Sequence, residues 1–200
     1  MGEKIKNVTA AVLCGGKSSR MGFDKAFLKN DEQYLLLQTV RKLQTLFEQV
    51  VLVSNTKAKF AHQTDFRGLP VLVDIYTEKG PIGGISTALG QVQTEYIFAM
   101  ACDMPLPDVS LIERMYRGLH KEQVLVCSYK RKLEPLFAFY HKSCLPVFEK
   151  HIEMGELKPR STFSSLEVGM YELSTEETKS IVNLNTPEDV RRWNEITTKK

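Results

Sequence analysis

The sequence predicts an α/β fold of three layers: a Rossmann-like, mostly parallel sheet with helices on both faces. Three observations carry that expectation. Short apolar runs rich in β-branched residues, "VTAAVL", "VVLVSN", "PVLVD" and "YIFAMACD", stop at glycine, asparagine or aspartate, as buried strands do. Between them stand segments whose apolar residues recur at helical spacing. Strand and helix then alternate through the first half of the chain, the order that builds a parallel sheet wrapped by helices.

Taken in order, Val8–Leu13 is the first strand and leads into the loop "CGGKSSRMGFDK". "YLLLQTVRKLQTLFEQ" sets Leu36, Val40, Leu43 and Phe47 on one helical face. The second and third strands follow, closing at Asn55 and Asp74. "GPIGGISTALGQV" is a helix approached through glycines, and "YIFAMACD" a fourth strand ending at Asp103. "PDVSLIERMYRGL" is the next helix, with Asp108 as its N-cap. The rhythm then loosens. "VLVCSY" and "EPLFAFYH" are two more strands, "SCLPVFEKHIEM" a helix and "PRSTFSSL" a further one. "VGMYEL" is a last strand, and "TPEDVRRWNEI" a final helix with Pro187 in its first turn. No repeat or low-complexity linker interrupts the chain, so a single domain over 1–200 is expected.

Composition excludes several function classes. The 27 Lys and Arg stand against 24 Asp and Glu, a net charge of +3, and the basic residues are dispersed. Nucleic-acid binding calls for a dense basic face, so no nucleic-acid partner is expected. Cys14, Cys102, Cys127 and Cys144 are widely spaced with no CxxC pair, the usage of reduced cytosolic thiols rather than of a disulfide framework or zinc site. "MGEKIKNV" has no signal-peptide core, and Lys6 stands where myristoylation needs Ser or Thr. No apolar run approaches the ~18 residues of a membrane span. A cytoplasmic protein without a membrane partner is expected. The four histidines show no paired metal spacing, and no G-x-S-x-G elbow occurs.

The first loop has the composition of a phosphate site, and two familiar patterns fail on it. A Walker A loop would need glycine at Ala11, inside the strand, and Gly15, Gly16 and Gly22 do not space as G-x-G-x-x-G. Glycines at 15 and 16 nonetheless let main-chain N–H groups approach a triphosphate closely. Arg20 and Lys25 supply positive charge where a reacting phosphorus gathers negative charge. Met21 reads as a packing residue; Asp24 either holds the loop by hydrogen bonding or is solvated. Ligands of open α/β sheets bind beyond the carboxyl ends of the strands, where Asp103 sits. Its carboxylate suits Mg²⁺, which takes one or two carboxylates with phosphate and water oxygens; a cap or turn is the alternative. Asn55 alone could start an Asx turn.

The stretch L-x-G-G-x(3)-R-M-G-x-D-K, Leu13 to Lys25, resembles the signature of nucleotidyltransferases acting on small molecules, and most closely that of the molybdenum cofactor guanylyltransferase family. Cys14 stands where that family usually has Ala, with its backbone amide expected to stay available. "CDMP" resembles the family's metal-binding aspartate segment, which implies Mg²⁺ on Asp103. "GPIGG", from Gly80, stands where the family more often has "GPLAG". The resemblance also implies that Leu13, Cys14, Gly15, Gly16, Asn55, Asp74 and Gly80 hold the nucleotide, Asn55 and Asp74 by its base and sugar.

"EPLFAFYHKSCLP" and "VNLNTPEDV" extend the resemblance nearly end to end. Asn183 and Asn185 precede the last helix, where ligand or metal contact competes with capping and turn chemistry. Lys158 and Arg160 are candidate cations for the phosphate of a second substrate, a solvated surface being the ordinary alternative. The family's activity implies transfer of GMP from GTP to the phosphate of Mo-molybdopterin, with catalysis by Arg20, Lys25 and Asp103. The N-terminal half would hold the nucleotide and the C-terminal half molybdopterin, and other cofactor-biosynthesis proteins are possible partners. The rival readings are a relative using CTP on molybdopterin or another nucleotide on a sugar phosphate, and a non-catalytic carrier.

Overall fold

The structure, a computed structural model, describes residues 3–15, 24–30, 32–105 and 107–197, the side chains of Pro187 and 194–197 excepted. β1 (Ile5–Leu13) is longer than its apolar run, because Ile5 already pairs with Phe47. A 3-10 turn (Lys25–Phe27) and a small antiparallel hairpin, β2 (Lys29–Asn30) and β3 (Gln33–Tyr34), lead into α1 (Leu35–Leu46). Phe47, expected on the helix, instead opens β4 (Phe47–Ser54). Its ring is buried and stacks on Phe98 at 5.8 Å, so strand burial overrides a helical period that happens to continue.

α2 (Ala58–Ala61), a 3-10 turn (Thr64–Phe66), β5 (Val71–Val73), α3 (Gly80–Gln91) and β6 (Tyr96–Ala101) complete the first half. α4 (Val109–Arg117) starts where expected, Asp108 accepting from the Ser110 amide at 2.9 Å. β7 (Val124–Tyr129), β8 (Lys132–His141), α5 (Leu145–Glu153), β9 (Val168–Glu172) and α6 (Pro187–Thr197) follow. Pro159–Ser165 winds as a 3-10 helix. There the Ser161 and Thr162 hydroxyls donate to the carbonyls three residues back, at 2.8 and 2.7 Å, which favours the tighter turn.

The described strands form a seven-stranded sheet in the order β5-β4-β1-β6-β8-β7-β9. β5, β4, β1 and β6 are parallel, β8 runs against both neighbours, and β9 is parallel to β7. One face packs on α1 and α4 through Leu36, Val40, Leu43, Leu111, Ile112 and Met115. The other packs on α3 and α5 through Ile82, Ile85, Leu89, Phe148 and Ile152. α6 joins by a small separate cluster in which Val190 and Trp193 cover Leu28, Leu35 and Leu184. β8 carries a bulge: Val126 pairs with Ala138, but Cys127 pairs with Glu134. The Tyr140 hydroxyl donates to the Pro135 carbonyl at 2.8 Å and supports the extra residues. Among the described residues, no helix is long and apolar enough to cross a membrane.

Candidate active site

From β1 the chain runs outward to β4 and β5, while α3 returns it to β6 on β1's other side. The crevice between the carboxyl ends of β1 and β6 is therefore the switch point of the sheet, where such folds take ligands. A cavity of about 660 Å³ opens there. Leu13, Cys14, Gly15, Lys25, Asn55, Asp74, Gly80, Asp103, Asn183 and Asn185 all line it, residues spread over most of the chain. Gly16 and Arg20 lie outside the described residues.

The strand ends fix the floor. The Cys14 amide donates to the Val53 carbonyl at 2.8 Å, and the Cys102 amide to the Leu13 carbonyl at 3.1 Å. This corrects one expectation: the ladder runs one residue past Leu13, so the Cys14 N–H is engaged and not open to a ligand. Burial, with Cys102 adjoining it, pushes the Cys14 thiol well above its ordinary value, so Cys14 contributes wall rather than reactivity. A Cβ at Gly15 would lie 3.1 Å from Asn55 Oδ1, which sets those two residues face to face.

On one wall, Lys25 Nζ donates to Asp103 Oδ2 and to Asn185 Oδ1, each at 2.7 Å. The Lys25 and Asp103 side chains are only 19% and 13% exposed. Asp103 Oδ1 is buried and has no hydrogen-bond partner among the described residues. A buried carboxylate oxygen left without a donor is costly unless a cation or ligand completes it. The Asp103 carbonyl accepts from the Leu184 amide at 2.9 Å, which docks the 183–185 segment on the end of β6. That segment is held from below by a reciprocal cap. The Asn185 and Thr186 amides donate to Asp189 Oδ2 at 2.9 and 2.8 Å, and the Asp189 amide donates to Thr186 Oγ1 at 3.1 Å. Thr186 thus caps α6, while the Asn185 side chain is turned to Lys25.

The opposite wall is built differently. Asp74 Oδ1 accepts from Thr87 Oγ1 at 2.7 Å and from the Tyr76 amide at 2.9 Å. The Ile75 amide donates in turn to Thr87 Oγ1 at 3.1 Å, so the turn after β5 is bound to α3. Gly83 makes this approach possible: a Cβ there would stand 2.7 Å from the Tyr76 carbonyl oxygen. Gly80, at φ +65°, starts α3 at the cavity edge, and a helix N-terminus favours anions.

Two residues join this region that sequence reasoning passes over. Glu134, at the β8 bulge, has a carboxyl raised by burial; the Leu136 amide opposes that shift, and the charge of Asp103 adds to it. Lys59, on α2, donates to the Cys14 carbonyl at 2.5 Å and pairs with Asp24 at 2.8 Å. Among the lysines of "NTKAKF" only the fold tells which one turns inward. Arg160 and Lys158 are exposed and do not line the cavity; Leu157 beside them packs its carbonyl near Gly80. Among the described residues no three Asp, Glu, His or Cys side chains gather as a metal cage. That is compatible with Mg²⁺, which needs fewer protein ligands.

Comparison with known proteins agrees with this architecture. A family model described as "MobA-like NTP transferase domain" matches residues 10–168. A "Probable molybdenum cofactor guanylyltransferase" of Clostridium perfringens (strain SM101 / Type A) is 34% identical, the match spanning 94% of this chain and 98% of that protein. The crystal structure of molybdopterin-guanine dinucleotide biosynthesis protein A from Archaeoglobus fulgidus superposes with a TM-score of 0.83 at 25% identity, over 96% of this chain and 100% of the other. At 13% identity, 4-diphosphocytidyl-2C-methyl-D-erythritol synthase from Anaerococcus prevotii has a TM-score of 0.74 over 96% of each chain; it shares the fold.

Proposed function

The chain belongs to the MobA-like NTP transferase family and is a nucleotidyltransferase, and from that premise we propose that it transfers GMP from GTP to the terminal phosphate of Mo-molybdopterin, releasing pyrophosphate. The observation that carries this reading is the clasp of Lys25 between Asp103 and Asn185 at the switch point, beside a carboxylate oxygen with no partner among the described residues. The relatives' names supply the choice of guanine and of molybdopterin.

The acceptor phosphate is already an anionic nucleophile, so one of its oxygens attacks the α-phosphorus in line, the bond to the pyrophosphate oxygen breaks, and no covalent enzyme intermediate forms. The protein positions the reactants and offsets charge. Lys25, with Arg20 of the same signature, offsets the negative charge that grows on the phosphates. Gly15 leaves room for them, and the start of α3 at Gly80 faces the same space. Leu13 and Cys14 floor the site. Asn55 and Asp74 hold the base and sugar. Asn183 and Asn185 close the site from the C-terminal half, and exposed Arg160 and Lys158 draw in the acceptor's phosphate. The oxygen donors of Asp103 and Asn185 fit Mg²⁺, which when bound would withdraw charge from phosphate oxygens.

Calorimetric titration of GTP, CTP, ATP and UTP into the Mg²⁺-supplemented protein, with pyrophosphate release measured after adding Mo-molybdopterin, tests this reading. Preference for GTP in both assays, weakened in Asp103→Ala, is the expected result. Preference for CTP would move the product to a cytosine dinucleotide. Absence of pyrophosphate release with every nucleotide would leave a carrier.

A further inference from the structure

We infer that Lys59 is a positioning residue for nucleotidyl transfer, a clamp that joins the two ends of the glycine-rich segment and thereby sets Lys25. The inference rests on the activity proposed above. Lys59 Nζ holds the Cys14 carbonyl at 2.5 Å, at the segment's start, and Asp24 Oδ2 at 2.8 Å, at its end. One ammonium group therefore ties together points ten residues apart in the chain.

What lies beyond each point is the reactive side of the cavity. Cys14 leads directly into Gly15. Asp24 uses its other oxygen, Oδ1, to accept from the Ala26 amide at 3.0 Å, capping the short turn that carries Lys25. Lys25 in turn holds Asp103 and Asn185. The turn is also anchored sideways, its Phe27 ring packing on Phe60 and Phe66, each at 5.8 Å. Phe60 is the residue after Lys59, so α2 grips the turn with an apolar neighbour and a charged one.

The Lys59 side chain is 13% exposed, against 41% for Asp24. A sheltered ammonium needs partners; among the described residues its hydrogen-bond and ion-pair partners are the segment's two ends, and the Phe60 ring lies 5.6 Å from it. Packing by Phe60 would hold the turn against the sheet without Lys59. Lys59 adds the distance between the turn and the end of β1, which the phosphates would have to fit. An error of about 1 Å in such placement can cost about 10² in rate.

The test compares Lys59→Met, Lys59→Arg, Asp24→Asn and the Lys59→Met/Asp24→Asn pair in steady-state transfer, GTP binding and thermal unfolding. Asp24→Asn keeps a capping side chain while removing the ion pair, so it reports on the clamp even if Lys59→Met folds poorly. Lys59→Met is expected to lower kcat by about 10²-fold with a smaller change in the KM for GTP. Arg, which can reach two acceptors at once, restores most of the loss. The double variant falls no further than Lys59→Met, because the two residues act as one unit. A Lys59→Met or Asp24→Asn enzyme with unchanged kcat, an Arg variant no better than Met, or additive losses would each overturn the inference. If the wild type binds GTP but transfers nothing, the proposed activity fails, and weaker GTP binding in Lys59→Met and Asp24→Asn still decides for the clamp, unchanged binding against it. A wild type that neither binds nor transfers overturns both.

Discussion

Asp74 and Asp103 follow β5 and β6 at the same carboxyl end of the sheet and line the same cavity, yet their surroundings differ. Asp74 Oδ1 is doubly satisfied by Thr87 and the Tyr76 amide, which bind the turn after β5 to α3. Asp103 has one oxygen on Lys25 and the other buried without a partner among the described residues. The first wall is finished by the protein itself. The second is left open among the described residues, and the function proposed above would set the transferring phosphates beside it. On that proposal, hydrogen-bond completeness would separate, within one cavity, the part that shapes the nucleotide site from the part that reacts.

The largest way to break the contrast is to remove charge from the unfinished wall. Lys25→Met is expected to lower kcat by about 10²–10³, the loss typical of one electrostatic contact in such a site, in a steady-state pyrophosphate assay. On the finished wall, Gly83→Ala drives a methyl toward the Tyr76 carbonyl and is expected to cost about 1–3 kcal/mol, read from denaturant unfolding. Asp74→Ala, which frees Thr87 and the Tyr76 amide, should cost about 1–2 kcal/mol and raise the KM for GTP more than it lowers kcat.

The smallest effect sharpens the support beneath Asn185. Hydrogen bonding with Thr186 first, then the Asn185 amide, holds the Asp189 carboxyl below its ordinary 3.8. A depressed folded value means the cap's contribution is present above about 3.8 and is lost as pH falls through the folded value. Acid unfolding of Asp189→Asn should therefore lose less stability between pH 5 and pH 2 than the wild type, as urea titrations across that range would show.

Most of the parallel half is legible in the sequence because its signals are local. β-branched runs end where the strands end, and "SN", "VD" and "ACD" place Asn55, Asp74 and Asp103 on one edge by residue type and position alone. Phe47 escapes that logic because a helical period runs on by chance into a strand. The Cys14 amide escapes it because a ladder's last hydrogen bond leaves no trace in residue types. The C-terminal half is harder. "EPLFAFYH" announces a strand, but neither its reversed direction nor the bulge that brings Glu134 toward Asp103 is periodic. Lys59 is hidden for a similar reason: an inward-turned lysine and a solvated one are the same letter. "TPED" does signal its cap, yet only the fold shows that Thr186 does the capping and leaves the Asn185 side chain to Lys25.

The measurement that bears most directly on the account is transfer of labelled GMP from GTP to Mo-molybdopterin at saturating GTP, with wild type, Asp103→Asn and Asp74→Asn side by side. The account predicts transfer by the wild type, a loss of about 10²–10³ in Asp103→Asn and a loss under about tenfold in Asp74→Asn. Equal losses in the two variants, or no transfer of GMP by the wild type, would contradict it.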